Sequence, residues 1–470
     1  MASATSMFYW GYAIVLSKFV IFFIDTGIAK SFGVLIPTMV KRLDTDYATV
    51  GLICSMPSTL MYLLSPLVKM FLTETNTRVV AMSGGILCGT CIAACAFFTN
   101  VVMIGVCLTL SGLGLSMSFI PIHLALNDFF PEKYVLMNTI CLYGYTAGSM
   151  LLPILMEKSL QAYGYYGAFL ILGGVAYNSM ACATTLRKVP MRSTSNEAQD
   201  HITSNDRKCV SRTKPLPEET PLFRQIQVED EEEEHEEGLP EQTGLIQSKM
   251  CRINEREIPL KLQSTCIRTF FQACKGSCGL FKEPFFATTI PIQFLQAYTS
   301  YSWMLFLVPH TEQLGIPSSK AVYLSTIGGI GGIIGRTVFI VFLSKGVNAF
   351  AVYIPVGCVC TATFLLDFVS SDYRSRVVLA FLQGFSFFIE DTMLSTLCKE
   401  AVFDDMNTGT ALTTIAFWTG MGATAAGTFT GYLYDITQSF TKVFIILGIT
   451  HAFKVGHLFI VAIILIKRKR

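Results

Sequence analysis

The residues best suited to chemistry in this chain are charged groups set in apolar surroundings. Asp25 and Lys30 share the stretch FIDTGIAKSFGVLIP (Phe23 to Pro37), Arg336 follows the glycine run GGIGGIIG, and Glu390 and Asp391 sit together in GFSFFIEDTMLS. An ionised side chain at the centre of a bilayer costs about 2.5–3.5 kcal/mol even on lenient insertion scales, so such groups face a protein interior or a water-filled path. Arginine suits a carboxylate ligand because its planar fork donates two parallel hydrogen bonds. Glu390 and Asp391 are adjacent, so on a helix they point about 100° apart; one is expected to face a cavity and the other to pair with a neighbouring helix. Asp391, with Glu390 as second choice, is the expected proton-coupling group or counter-ion of Arg336. A purely structural Arg336–Asp391 ion pair is the competing reading. Asp25 is five residues from Lys30, about 140° around a helix, and is expected to meet a different neighbour; it stays a lesser candidate for the same proton or counter-ion role. Lys18, Lys69, Asp367, Lys454 and His457 have a blander expectation, snorkelling to an interface or pairing between helices.

These charges need spanning elements to hold them. Of 470 residues, 52% are hydrophobic and only 14% charged, where a soluble domain is nearer about a quarter charged. The composition points to an integral membrane protein. About 20 apolar residues cross a bilayer, and twelve runs qualify or nearly so, near 10–36, 48–70, 79–98, 101–126, 135–156, 166–186, 284–309, 319–343, 348–369, 375–397, 408–433 and 440–466. Runs of this length satisfy their backbone groups as helices, so the expected fold class is all-α and polytopic. The opening MASATSMFYW has no basic segment of a cleavable signal, and the chain is expected to begin at or near Met1. Most of the fifteen cysteines lie in apolar runs and read as small packing groups. The CKGSC stretch, Cys274 and Cys278, lacks a second ligand pair for a metal. No cofactor and no nucleic-acid partner is expected; phosphate loops, metal-spaced ligand clusters and paired nucleophiles are not seen, which argues against an enzyme.

Between the sixth and seventh runs lies a polar stretch with EDEEEEHEE (Glu229 to Glu237), a composition unable to bury a core. The organisation expected is an N-terminal six-helix half (1–186), a disordered cytoplasmic loop (187–282) and a C-terminal six-helix half (283–470). Lys and Arg near the run ends favour both termini and the loop on the cytoplasmic side. FLILGG (Phe169 to Gly174) and FIILGI (Phe444 to Ile449) echo each other at matching places in the two halves. Two parallel six-helix halves are the layout of the major facilitator architecture, with a site between them near the midplane. The overlapping pairs Gly328/Gly332 and Gly331/Gly335 predict close helix packing, and similar small faces run through Gly84, Gly85 and Gly89 and through Gly420, Gly427 and Gly431.

Several stretches, taken in order, resemble the monocarboxylate porters of solute carrier family 16. They are WGYAIV (Trp10 to Val15), AKSFGV (Ala29 to Val34), FFPEKYVLMN (Phe129 to Asn138), GYYGAFLILGG (Gly164 to Gly174), GRTVF, and GTFTGYLYDITQSF (Gly427 to Phe440). The resemblance covers both halves and excludes the loop. It implies a twelve-helix alternating-access transporter of a small organic carboxylate in the plasma membrane, with a proton as the co-transported ion an open alternative. Carried over by position, Lys30 matches the transport lysine, Arg336 the substrate-binding arginine, Asn138 a polar residue of the fifth helix, and Phe387 and Asp391 pocket-facing positions of the tenth. It also leaves room for a single-span glycoprotein chaperone of the basigin or embigin type. The pattern departs where proton-coupled members carry an Asp, one turn before the arginine: here it is Gly332. The fifth-helix basic pair becomes Lys133 and Tyr134. Uncoupled carriage of a zwitterionic or aromatic solute such as an amino acid, thyroid hormone, creatine or carnitine is therefore the alternative, and a non-transporting scaffold or sensor a more distant one.

Overall fold

The computed structural model describes residues 2–130, 134–187, 284–369, 371–392 and 408–469. The expected loop, with its acidic block and Cys274 and Cys278, lies outside them apart from Arg187, as does Lys133. All regular structure among the described residues is helical. In the first half it comprises α1 (Ala2–Leu43), α2 (Tyr47–Leu63), α3 (Ser65–Glu74), α4 (Thr77–Ala94), α5 (Val101–Phe129) and α6 (Tyr134–Ala183). The second comprises α7 (Pro284–Gln313), α8 (Ser318–Ser344), α9 (Ala349–Leu365), α10 (Tyr373–Glu390), α11 (Thr408–Thr437) and α12 (Phe440–Lys469). Six of these helices are long and apolar enough to cross a membrane on length and composition alone. The second expected run is divided between α2 and α3 at Leu64. The fifth and sixth runs share α6, whose course breaks at Gly164, with φ +65° and ψ −165°. A left-handed φ there favours a residue without Cβ.

α1 is the most enclosed of the spanning helices, with 83% of its most apolar window buried; it packs on α6 and also reaches α7 of the other half. Its closest approach to α7 is at Gly33, where an added Cβ would stand 3.0 Å from the carbonyl oxygens of Met304 and Leu305. The halves also meet along α2 and α11, where Gly420, Gly427 and Gly431 lie against the backbone at Thr59, Gly51 and Tyr47. The expected small face of α11 is thus a seam between halves. At the end of the bundle remote from the N-terminus, called the far end below, Asp435 of α11 caps α2 across this seam. Its Oδ1 and Oδ2 accept from the Tyr47 and Ala48 N–H groups at 3.1 and 2.9 Å. A carboxylate there meets orphan amides and the positive end of the helix dipole. The Tyr434 and Phe440 rings stack beside it at 3.9 Å, with Tyr47 edge-on to Tyr434 at 4.5 Å.

Candidate functional site

Arg336 is positioned by the glycine run that precedes it. Gly328, Gly331 and Gly335 of α8 lie directly against the backbone of α10 near Ala380, Phe381 and Phe385, so the two helices approach more closely than any Cβ would permit. That approach delivers Arg336, fully buried, to the seam with α6. Its Nη1 donates to the Leu142 carbonyl at 2.5 Å and to Thr146 Oγ1 at 3.0 Å, and Nη2 to the Phe388 carbonyl at 3.4 Å. The guanidinium also stands 5.5 Å from the Phe388 ring centre, and its Nε has no partner. All three acceptors are neutral, and no described carboxylate lies within ion-pair distance of it. The place of the absent acid is filled: a Cβ on Gly332 would overlap the edge of the Phe388 ring at Cδ2.

The adjacent acids of α10 divide. Glu390 is fully enclosed and its Oε2 takes Lys454 Nζ at 2.8 Å and His451 Nε2 at 3.1 Å, both from α12. Lys454 also donates to Gln296 Oε1 of α7 at 2.6 Å, and Thr361 of α9 meets His451 Nδ1 at 2.9 Å. Four helices of the second half are tied at this point. Asp391 ends α10, and its Oδ2 is buried without a hydrogen-bond partner. It feels the charges of Arg336, Glu390 and Lys454 and lies beside Gln296, yet does not form the contact ion pair with Arg336.

On α1 the charges also part. Lys30, 1% exposed, places Nζ 3.5 Å from the Trp303 ring centre and donates to the Trp303 carbonyl at 3.4 Å. It is committed to α7 across the halves. Lys18 is buried and donates to Asn138 Oδ1 of α6 at 2.7 Å, the interhelical alternative of its two expectations. Phe387 is 1% exposed and packs against Trp303 at 5.4 Å and Phe364 at 5.8 Å. Asp367 takes the other expected course, pairing in a buried cluster with Arg376 and with His310, whose Nε2 is 2.8 Å from Asp367. Lys69 has a side chain outside the described set.

Asp25 is 3% exposed, with Oδ1 unpartnered. Tyr145 of α6 stands edge-on to the Phe388 ring at 5.9 Å, the ring beside the Arg336 guanidinium, and its hydroxyl reaches Met304 Sδ of α7 at 3.8 Å.

The sequence model of the Major Facilitator Superfamily matches residues 18–425. Human monocarboxylate transporter 12 is 22% identical over 338 residues, which is 70% of this chain and 56% of that protein. Rat monocarboxylate transporter 4 is 23% identical over 447 residues, 93% of this chain and 80% of that one. The chain thus spans little more than half the length of the first. Among solved structures, a bacterial homologue of the human lysosomal transporter Spinster, inward-facing and unoccupied, superposes with TM-score 0.60 at 12% identity over 97% of this chain and 96% of that one. A mutant of the nucleoside transporter NupG gives 0.61 at 11% identity, over 97% and 99%. These two similarities bear on the fold alone.

Proposed function

The chain belongs to the major facilitator superfamily and is a divergent relative of the monocarboxylate transporters; on that premise we propose that it moves a small organic solute bearing a carboxylate, by alternating access between its two halves. The observation that carries this reading is Arg336: a fully buried guanidinium that bonds both halves, has only neutral partners and keeps Nε unspent. A buried charge without a counter-ion is costly. A solute carboxylate would supply the missing anion, and would do so at the seam whose opening and closing moves the solute. Asp391 is the acid that balances Arg336 when the site is empty or takes a proton as the solute binds. Lys30 is the cation the solute meets when the α1–α7 contact separates. The setting proposed is the plasma membrane with both termini cytoplasmic, and a single-span glycoprotein of the basigin or embigin type is the candidate partner.

The test is uptake of radiolabelled pyruvate and amino acids into vesicles holding the full chain, with and without a pH gradient. Arg336→Gln should abolish uptake and Arg336→Lys restore only part of it, because a point charge cannot donate the parallel pair. Uptake that survives Arg336→Gln refutes the anchor. Uptake indifferent to the gradient removes the proton from Asp391.

A further inference from the structure

At the end of the bundle where α1 begins, the first half holds a cavity of about 250 Å³ between the end of α3, the start of α4, the last turns of α5 and the residues that follow α6. Leu72, Pro121, Leu124 and Leu186 make part of its lining apolar, and Arg78 and Arg187 line it as well. Both arginines are exposed, and among the described residues no carboxylate lies within ion-pair distance of either. The Arg187 guanidinium stands 3.7 Å over the centre of the Trp10 ring, and Trp10 is itself held by its Nε1, which donates to the Thr185 carbonyl at 2.8 Å. A guanidinium held against an aromatic face keeps N–H groups for a second partner. Asp128 also lines the cavity without an ion pair, so two arginines less one aspartate leave one net positive charge. The apolar spans Trp10–Leu43 and Thr77–Ala94 begin at this level and Val101–Leu126 ends there. The cavity therefore lies where hydrocarbon gives way to headgroups, the depth that tryptophan favours.

We propose that this cavity binds an anionic phospholipid, whose phosphodiester is held by Arg78 and Arg187 and whose first tail carbons cover the leucines. Basic pockets between spanning helices at headgroup depth recognise lipid in this way. One phosphodiester charge equals the net charge of the cavity. The chain's own acidic block, Glu229 to Glu237, offers negative charge but no apolar group for the leucines, whereas a lipid brings both. The site shares no residue with that of Arg336 and stands independently of the carboxylate reading.

The test is native mass spectrometry of the purified full-length chain in micelles holding equal amounts of phosphatidylglycerol and phosphatidylcholine with the same tails. The ratio of the two lipids retained by the protein is read. One charge near the headgroup surface shifts such a ratio by about fivefold, so the native chain should favour phosphatidylglycerol by about that factor. Arg78→Gln and Arg187→Gln should each bring the ratio close to one, and Asp128→Asn should raise it to about 25-fold. These side chains are exposed, and their substitution leaves the fold intact. Lys442→Gln, an exposed cation at the far end, should change nothing. Leu124→Trp keeps every charge but fills the cavity, and should also abolish the preference. A native ratio of one, or a preference that survives either arginine variant, overturns the site. A preference that survives Leu124→Trp shows general surface attraction and overturns it too. Glycerol 3-phosphate at about 10 mM should leave the retained lipid in place, since it lacks the tail; displacement by it would assign the cavity to soluble phosphate esters instead. If the preference appears only after Glu231, Glu232, Glu233 and Glu234 are replaced by Gln, the acidic block is the occupant and the lipid is not.

Discussion

Removing the Asp435 cap should loosen the far end of the molecule by an amount that can be worked out. The carboxylate takes two backbone N–H groups of α2 at 3.1 and 2.9 Å from the opposite half, so opening the far end must break both bonds. Hydrogen bonds to a charged acceptor contribute about 1.5–3 kcal/mol each at most. Asp435, Tyr47 and Ala48 are all half-buried, and water competes for the freed groups, so about 1–2 kcal/mol for the pair is the better figure. That corresponds to about a 5- to 30-fold rise in the population open at the far end, provided that state is the minor one. The assay is labelling of Val34→Cys by a membrane-impermeant thiol reagent. Val34 is 2% exposed and packs with Val308, Ala321 and Val322 where α1 and α7 close. Asp435→Ala should raise its labelling rate by that factor, and Asp435→Asn, which keeps an acceptor oxygen, by less. Labelling of the enclosed native Cys88 and Cys360 should not change. If Val34→Cys labels no faster, or if Cys88 reacts in step with it, the capped seam is not what holds this end shut.

Three further outcomes follow from the packing. Gly332→Asp, which restores the acid that proton-coupled relatives are expected to carry, should lower thermal stability by about 1–3 kcal/mol, because its Cβ meets the Phe388 ring; adding Phe388→Ala should recover part of the loss, and a simple sum of the two single effects would refute the clash. Lys454→Met should cost up to about 3 kcal/mol by leaving the buried Glu390 with His451 as its remaining partner, while Lys454→Met with Glu390→Gln should be milder; thermal melts of the purified variants compare them. Asp46, in the linker between α1 and α2, is held below the usual carboxylate range, first by the Thr49 hydroxyl. Its cap on Thr49 N–H, at 3.1 Å, should therefore be fully present at neutral pH. It should be lost only as pH falls through that lowered value, read as the onset of fast amide exchange at Thr49.

The chemistry of the site was only partly legible in the chain itself. Arg336 stood out because one permanent charge followed a glycine face in an apolar run, and the face does bring α8 against α10. Asp391 also stood out, but a sequence cannot tell that it ends α10 without a contact ion pair to Arg336. Glu390 looked like its understudy and is instead consumed by Lys454 and His451, residues far along the chain that carry no spacing signal linking them to it.

What the sequence by itself determined is what the bilayer dictates residue by residue. Long apolar runs with few charges must be helices, and a polar stretch between two sets of runs separates two halves. Glycines four apart mark the places where helices touch. What only the tertiary structure decided is which charge meets which. In a membrane core every buried charge must find its partner on another helix, and the partner is chosen by the packing of helices distant in sequence. Lys18 therefore went to Asn138, Lys30 to Trp303 and Lys454 to Glu390, while Arg336 Nε, Asp391 Oδ2 and Asp25 Oδ1 are among the buried polar atoms that keep bonding capacity to spare.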